Sequence, residues 1–276
     1  MKIIDFSHCE ENDRTYAGKK LGVIYQDENW ILKFPKSTIE FRNVDFSYKT
    51  SPTLSEYVGS QIYKQLNIPV HETSLGYFKG KIVVACKDFL ERGDQLIEFK
   101  QLKNMYNEEL TDLIAKEGSS GIDDGTDLNV VLSVIEKNII LKMIPNVKER
   151  FWDMFVVDAL IGNNNRNNED WGVIKRLSEK YELAPVYDSG NAFSNKASNE
   201  PLKNSAFYYI KENQNPDCIL AVQRIMEKTN LDRFYKIIDE IPTEYKGVPI
   251  ISEYYKKYMK DILRIRDVYL KREQLH

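Results

Sequence analysis

Two polar segments of the chain combine residue types that phosphoryl transfer needs. The first spans residues 162–172 and reads Gly-Asn-Asn-Asn-Arg-Asn-Asn-Glu-Asp-Trp-Gly, and the second spans 184–190 and reads Ala-Pro-Val-Tyr-Asp-Ser-Gly. Asn and Asp side chains offer hard oxygen atoms, which suit Mg²⁺ and the phosphates that it bridges. A polar catalytic loop followed by an Asp-x-Gly metal loop is the arrangement used for phosphoryl transfer in a kinase-like cleft. The two segments therefore predict a nucleotide site.

Three side chains in these loops carry the predicted chemistry. Asp188, at the end of an apolar run, could chelate Mg²⁺ at a tight turn, and Asp170 could supply a second oxygen ligand. Asn165 could contact a phosphate or an incoming hydroxyl. Turn formation alone is the alternative, because Asn and Asp favour turns for local reasons. Asp158, inside the apolar helix before the loop, needs a partner such as a backbone amide or Arg166, and we assign it a structural role.

Further candidates lie in the first third of the chain. Lys33, in a predicted strand, could reach the α- and β-phosphates of a nucleotide; a solvent-facing lysine on an edge strand is the alternative. Glu56, near the start of the next helix, could hold Lys33 in an ion pair or simply favour the helix dipole. Gly18 and Lys19 could fold over phosphates with backbone N–H groups, although the Walker A pattern is absent.

Four consecutive residues form the last candidate group: Cys86, Lys87, Asp88 and Phe89. They follow an apolar strand, and their backbone N–H and C=O groups could bind the edge of an adenine base. A strand that simply leads into a linker is an equally good explanation. Because this segment lies where the strand-rich character of the chain ends, we place the boundary between two lobes here.

The predicted elements indicate an α+β fold with two lobes. A strand-rich N-lobe for nucleotide binding spans residues 1–89, and a larger helical C-lobe with the catalytic and metal loops spans 90–276. Strands are predicted at 20–25, 29–34, 73–78, 81–86, 172–176 and 181–187. Helices are predicted at 51–67, 128–139, 147–161, 217–228, 231–240 and 250–272. Small residues on the Glu56 face of the first helix, Gly59 and Ser60, predict close approach to a sheet.

Composition argues against several other classes of function. The net charge of −3 gives no sign of a direct nucleic-acid or membrane partner. No apolar run approaches the length that spans a bilayer. The three cysteines are scattered, which fits a reducing cytoplasm better than a disulfide framework or a zinc site. The N-terminus lacks a signal-peptide pattern, so we expect a cytoplasmic protein, while secretion or translocation stays open.

At these residues the chain resembles the HipA-like serine/threonine kinases, and among them the short CtkA-type members, which lack the N-terminal subdomain of full-length HipA. The two most specific blocks are Asp-Trp-Gly at 170–172 and Pro-Val-Tyr-Asp-Ser-Gly at 185–190. The resemblance covers most of the chain and also includes Tyr16–Lys20, Trp30–Pro35, the Glu56 helix, Cys86–Phe89 and Asp158–Asn163. It implies a bilobal kinase-like fold, ATP with Mg²⁺, and phosphoryl transfer to serine or threonine. It also raises a toxin–antitoxin role with an antitoxin-type partner.

The resemblance further implies a role for each matching position. Lys33 should hold the α- and β-phosphates, Asp188 should bind Mg²⁺, and positions 165 and 170 should be the catalytic aspartate and a metal-binding asparagine. This chain departs from the family pattern with Asn165, Asn167 in place of histidine, and Asp170. Asp170 is still a good Mg²⁺ ligand, but Asn165 cannot act as a base. General-base help is typically worth about 10²–10⁴-fold.

Three hypotheses follow. The first, which we favour, is an ATP- and Mg²⁺-dependent serine/threonine protein kinase that phosphorylates an unidentified protein substrate and itself, within Ser194–Ser205 and including Ser198. Transfer of another part of the nucleotide, such as AMP, is a variant that nothing in the sequence selects. The second is a pseudokinase that binds nucleotide without transfer, because Asn165 replaces the catalytic aspartate. The third is an α+β interaction protein that binds no nucleotide.

Overall fold

The computed structural model describes residues 1–12, 20–35, 51–105, 128–164, 166–193, 209–210, 212 and 215–273 of the 276-residue chain. The described elements form a strand-rich part with one helix, followed by a mainly helical part, so the predicted α+β class is confirmed. The strands are β1 (Ile4–Asp5), β2 (Glu10–Glu11), β3 (Lys20–Tyr25), β4 (Glu28–Lys33), β5 (Thr73–Phe78), β6 (Lys81–Lys87), β7 (Gln95–Glu98), β8 (Gly172–Lys175), β9 (Tyr181–Leu183), β10 (Glu244–Tyr245) and β11 (Val248–Pro249). The helices are α1 (Pro52–Gln65), α2 (Phe99–Asn104), α3 (Leu128–Lys137), α4 (Ile139–Lys142), α5 (Val147–Ile161), α6 (Pro216–Lys228), α7 (Leu231–Asp239) and α8 (Glu253–Glu273).

The N-terminal sheet places Lys33 on an interior strand. Its order is β1-β5-β6-β4-β3-β2, so β4 has a neighbour on each side. The register sets Lys33 opposite Lys20 on β3 and Val84 on β6. The β3–β4 turn uses Gln26 and Asp27, both with positive φ, which matches the twist of the flanking strands. The alternative of a lysine on an edge strand is therefore excluded.

Helix α1 begins as predicted and packs against β5 and β6, but Gly59 itself contacts a loop. The Ser51 side chain accepts a hydrogen bond from the Leu54 backbone N–H, and Pro52 is the first helical residue. We expected Gly59 to approach a sheet. Instead, a Cβ atom at Gly59 would lie 2.8 Å from the Cβ of Ser189, in the loop after β9. The small residue is needed because the helix backbone packs directly against that loop.

The helical part packs around α5, which is buried on nearly every side, as its all-round apolar sequence predicted. Helices α6 and α8 pack against it. Side chains from α1, α3, α5, α6, α7 and α8 belong to one hydrophobic cluster, so the core extends from the helical part to α1 in the strand-rich part. The Ser55 hydroxyl of α1 also donates to the Ala192 carbonyl oxygen at 2.6 Å. Helix α1 is thus fixed to the helical part along its length.

One predicted helix is divided in two. Ile139 was expected on the apolar face of a helix spanning 128–139, but its side chain is exposed. The reason is local: α3 ends at Lys137, and the side chain of Asn138 accepts hydrogen bonds from the N–H groups of Ile140 and Leu141. Asn138 therefore caps a new short helix in a changed direction.

The C-terminal helix starts later than predicted. The predicted span of 250–272 becomes α8, and the short hairpin of β10 and β11 precedes it. Ile251 is buried but lies before the helix, and Tyr269, predicted on the apolar face, is exposed. Strands of two residues are too short to show a period of two, so the sequence pattern could not indicate this hairpin. The two-residue strands β1 and β2 were missed for the same reason, and the four-residue strand β7 was also not predicted.

Within the described ranges, none of the helices combines the length and the apolar character that crossing a bilayer requires.

Replacing Gly59 with alanine should lower the stability of the fold. The added methyl group would clash with Ser189, and overpacking of this kind costs about 1–3 kcal/mol. Alanine gains only about 0.5–1 kcal/mol over glycine in a helix interior. Chemical denaturation should therefore show a smaller free energy of unfolding for Gly59→Ala. Lys64→Ala, at an exposed position of the same helix, is the control, and a more stable Gly59→Ala protein would contradict the packing.

Candidate active site

Lys33 joins two carboxylates from distant parts of the chain. Its Nζ atom lies 3.3 Å from Glu56 Oε1 on α1 and 3.2 Å from Asp188 Oδ1 in the loop after β9. The predicted Lys33–Glu56 ion pair is therefore confirmed. Burial alone would lower the pKa of Lys33, but the charge of Glu56, followed by the weaker effects of Cys86 and Asp188, holds that pKa above its usual value. Lys33 is a fixed positive charge between the two parts of the fold.

Glu56 is buried, and a single one of its oxygen atoms receives three donors. Oε1 accepts from Lys33, from His71 Nε2 at 3.0 Å and from the backbone N–H of Asp188 at 3.1 Å. Burial by itself would raise the pKa of this carboxyl, but Lys33 and then His71 hold the pKa well below its usual range. Glu56 therefore stays ionised and links α1 to the Asp188 loop.

The Asp-Ser-Gly sequence of that loop has a physical reason at each position. Asp188 has φ 60°, a left-handed conformation that Asp tolerates better than most residues. Ser189 is buried against Gly59 of α1. A Cβ atom at Gly190 would lie 3.3 Å from Glu56 Oε2. Only small side chains at 189 and 190 let the loop bring Asp188 to Lys33.

Asp158 and Arg166 form a buried ion pair, which confirms the partner predicted for Asp158 and supports a structural role. The guanidinium group donates from Nε to Asp158 Oδ2 and from Nη2 to Oδ1 at 3.0 Å. The same Oδ1 also accepts from the Tyr63 hydroxyl at 2.8 Å and from Asn163 Nδ2 at 2.9 Å. The carboxylate thus connects α1, α5 and the 162–172 loop.

Arg166 also connects the two predicted loops to each other. Its Nη1 atom donates to the backbone carbonyl oxygens of Asp170 at 3.0 Å and Tyr187 at 2.8 Å. The first carbonyl belongs to the predicted metal ligand Asp170, and the second belongs to the residue before the predicted ligand Asp188. Because Asp158 holds the guanidinium group, one buried ion pair sets the spacing between the two loops.

Asp170 lies close enough to Asp188 for the two carboxylates to interact electrostatically. Its Oδ2 atom accepts a hydrogen bond from the Asn167 backbone N–H at 2.9 Å, which closes the loop into a turn. Burial, with a smaller contribution from Asp188, raises the pKa of Asp170 to about 6. The positive charge of a cation held by Asp170 would offset this cost.

The residues present fit a magnesium ion. The donor set of Asp170 and Asp188 consists of hard carboxylate oxygens, which Mg²⁺ prefers. The amide oxygens of Asn163, Asn164 and Asn168 are also buried, and no donor within the described part of the chain reaches them. The loop therefore carries additional oxygen acceptors that a cation or its bound water could use.

The segment proposed to contact adenine has fewer open backbone groups than expected. The N–H groups of Lys87 and Asp88 donate to the carbonyl oxygens of Glu72 and Asn29, both at 2.8 Å. The Lys87 side chain pairs with Glu28 at 2.6 Å. The Cys86 side chain is buried inside the fold. A contact to a base from this segment is therefore left to backbone carbonyl oxygens and to Phe89, whose ring lies 5.7 Å from that of Tyr187.

Three predicted site residues, Gly18, Lys19 and Asn165, lie outside the described residues, as does the predicted phosphorylation segment 194–205. Their roles stay predictions. Conversely, sequence reasoning did not identify His71, which contacts Glu56, or Tyr63, which contacts Asp158. Helical spacing places Tyr63 on the same face as Glu56, but its partner Asp158 lies far along the chain. His71 follows Pro69-Val70 in an ordinary loop and carries no local signal.

Neutralising Asp158 should destabilise the protein strongly. Asp158→Asn leaves the buried Arg166 charge without its counterion, and breaking such a pair costs about 3–5 kcal/mol. Glu136→Gln is the matched control, because the Glu136–Lys148 pair at 3.0 Å is exposed and should contribute about 0–1 kcal/mol. Urea denaturation measures both, and equal losses would contradict the role given to Asp158.

Replacing Asp170 with asparagine should stabilise the metal-free protein in a pH-dependent way. The raised pKa of about 6 means that ionised Asp170 opposes folding above that pH, whereas below the unfolded-state pKa the protonated side chain carries no such cost. The melting temperature of Asp170→Asn in EDTA should therefore exceed that of the wild type at about pH 8. The difference should shrink as the pH falls through 6 towards 4. A difference that does not change with pH would contradict the assignment.

No protein-family model matches the chain. The chain is 31% identical to the serine/threonine-protein kinase CtkA of Helicobacter pylori strain J99, in an alignment that covers 95% of this chain and 85% of the relative. The crystal structure of a Helicobacter pylori proinflammatory kinase CtkA matches with a TM-score of 0.77 at 28% identity, over 99% of this chain and 98% of that one.

A structure with lower sequence identity has a similar fold. HipA of Shewanella oneidensis MR-1, solved with HipB and operator DNA, matches with a TM-score of 0.52 at 13% identity, over 95% of this chain and 67% of that one. At this identity the likeness shows the fold alone. Together with the CtkA match, it confirms the predicted bilobal kinase-like fold. The chain belongs to the HipA-like serine/threonine kinases, as a relative of the CtkA type.

Proposed function

We propose that this chain transfers a phosphoryl group from ATP, with Mg²⁺, to a serine or threonine of a protein substrate and to itself. The observation that carries the proposal is the cluster of Lys33, Glu56 and Asp188. Lys33 Nζ lies within 3.3 Å of a carboxylate oxygen of each acid, and the three residues come from an interior strand, a helix and the Asp-Ser-Gly loop. A strand lysine paired with a helix glutamate, beside a metal-loop aspartate, is the arrangement that kinases use to place ATP phosphates.

Each residue of the cluster has a distinct task in this proposal. Lys33 binds the α- and β-phosphates and, because its pKa is raised, stays charged at neutral pH. Glu56 orients Lys33. Asp170 and Asp188 hold Mg²⁺, which supplies the positive charge that offsets charge developing on the transferred group. Asn165 orients the acceptor hydroxyl by hydrogen bonding.

The remaining assignments are extensions of the same proposal. Residues 1–89 form the N-lobe, where Gly18 and Lys19 cover the phosphates and the 86–89 segment contacts the base, and residues 90–276 form the C-lobe. The partner is a protein substrate. An antitoxin-type partner has only the support that the distant HipA structure contains HipB. A cytoplasmic location stays an expectation from cysteine usage.

A pseudokinase is the second candidate, and the observation that favours it is Asn165 itself. An amide side chain cannot accept a proton from the acceptor hydroxyl. The protein would then bind MgATP without transferring phosphate. The outcome depends on how much of the rate comes from positioning and charge, which dominate phosphoryl transfer, and how much from the base.

Incubation with γ-³²P-ATP and Mg²⁺ tests the proposal. Wild-type protein should acquire label, and Lys33→Met and Asp188→Asn should lose it, because the first removes the phosphate-binding charge and the second weakens metal binding. Lys148→Ala, which changes a surface lysine, should label like the wild type. Peptide mapping should place the phosphate within residues 194–205.

The possible results separate the two candidate functions. Absence of label, with MgATP binding still seen by calorimetry, would replace the kinase by the pseudokinase, and Asn165→Asp should then restore transfer. Absence of both label and binding would overturn the proposed function. Label on other residues would remove the phosphorylation segment from the proposal and leave the kinase in place.

A further inference from the structure

A buried histidine, His71, contacts the Glu56 carboxylate of the Lys33–Glu56 pair. The proposed phosphoryl transfer assigns no role to this histidine. His71 is 5% exposed and immediately precedes the residues that lead into β5. Its backbone N–H donates to the carbonyl oxygen of Val186 at 3.0 Å, which fixes it beside the strand-like segment that ends in Asp188. Its Nε2 atom lies 3.0 Å from Glu56 Oε1 and 3.2 Å from Ser60 Oγ. The imidazole therefore lies against the carboxylate that orients Lys33.

The hydrogen bond from His71 to Glu56 matters because Lys33 can pair with either Glu56 or Asp188. Lys33 Nζ lies at nearly equal distances from Glu56 and Asp188, 3.3 and 3.2 Å. A carboxylate that could rotate would let the lysine move wholly to Asp188, and Asp188 would then be neutralised and unavailable to Mg²⁺. The donors from His71 and the Asp188 backbone N–H both reach Oε1. Together they fix the side on which Lys33 can bind.

We propose that His71 is a positioning residue, which locks the Glu56 carboxylate so that Lys33 stays directed at the nucleotide phosphates and does not move wholly to Asp188, the proposed metal ligand. This inference rests on the proposed kinase function and adds to it a residue that acts on Lys33 through Glu56. No proton transfer is assigned to the imidazole; it acts only as a hydrogen-bond donor.

A metal ion at the same place is the competing explanation. The ligand atoms of Glu56, His71 and Cys86 all lie within 4.8 Å of one another, a spacing that a transition metal could use. However, the Glu56 oxygen facing His71 already binds Lys33, so a metal there would lie against an ammonium group. Burial also raises the pKa of the Cys86 thiol to about 12, which disfavours the thiolate that metals bind. The cluster is better explained by the hydrogen bond.

The variants His71→Gln and His71→Asn distinguish two roles for His71, a hydrogen-bond donor to Glu56 or a side chain that only fills space. The side-chain nitrogen of glutamine is as many bonds from Cβ as histidine Nε2, whereas that of asparagine matches Nδ1 and falls short of Glu56. His71→Gln should keep MgATP affinity and the rate of phosphate transfer close to wild type. His71→Asn should lose about tenfold or more in kcat/KM for ATP, because hydrogen bonds to charged groups are the stronger ones. Ser60→Ala, which alters the other neighbour of Nε2, should have little effect.

A double-mutant cycle tests whether His71 acts through Glu56. Glu56→Gln alone should weaken MgATP binding and transfer. Adding His71→Asn to Glu56→Gln should cause no further loss, because the group that His71 orients has already been changed. Circular dichroism and thermal melting verify that every variant is folded. If His71→Asn fails to fold, His71→Met, which resembles glutamine in length but has no hydrogen-bond donor, replaces it in both Glu56 backgrounds.

The outcomes distinguish failure of this inference from failure of the proposed function. Wild-type protein that neither binds MgATP nor transfers phosphate overturns the proposed function, and the inference with it. Active wild type with an equally active His71→Asn overturns the inference alone. So do equal losses in the Gln and Asn variants, or losses that add to those of Glu56→Gln, since both indicate packing. A tenfold loss confined to Asn and absent in the Glu56→Gln background supports it.

Discussion

A charged carboxylate that is removed from water must be matched by donors, and in this protein that constraint organises the site. Glu56 is buried in α1, so its Oε1 atom draws together Lys33 of β4, His71 before β5 and the Asp188 backbone N–H after β9. None of these segments is adjacent in sequence. An unmatched carboxylate here would cost several kcal/mol, so the fold and the arrangement of the site stabilise each other.

Asp158 is a second buried carboxylate, and it too must be matched by donors. Asp158 matches Arg166, and Arg166 in turn holds the carbonyl oxygens of Asp170 and Tyr187. Tyr63 of α1 binds this network, while Glu56 of the same helix binds the other. Since Gly59 packs on Ser189 between them, α1 is held at three successive turns. Its orientation is therefore coupled to the spacing of both loops.

The sequence predicted what depends on local periodicity and on turn chemistry. The long strands, α1 with its Ser-Pro start and the buried α5 followed from apolar spacing, and the Lys33–Glu56 pair followed from residue type and order. Very short strands have no period to detect, and Asn138 ended a helix that apolar spacing alone would have continued. His71 could not be found because its function depends on a contact made only by folding, with a residue on a different element.

The departures from the family pattern make physical sense as a relocation of charge. The pattern has aspartate at position 165 and asparagine at 170, whereas this chain has the reverse, so the loop keeps the same number of carboxylates. In the proposed kinase, this change would move the charge from the position of the base to the proposed metal ligand Asp170, whose pKa burial and Asp188 raise to about 6. Such a site would depend more on positioning than on a base, and the networks of Glu56 and Asp158 hold Lys33 and both loops in position.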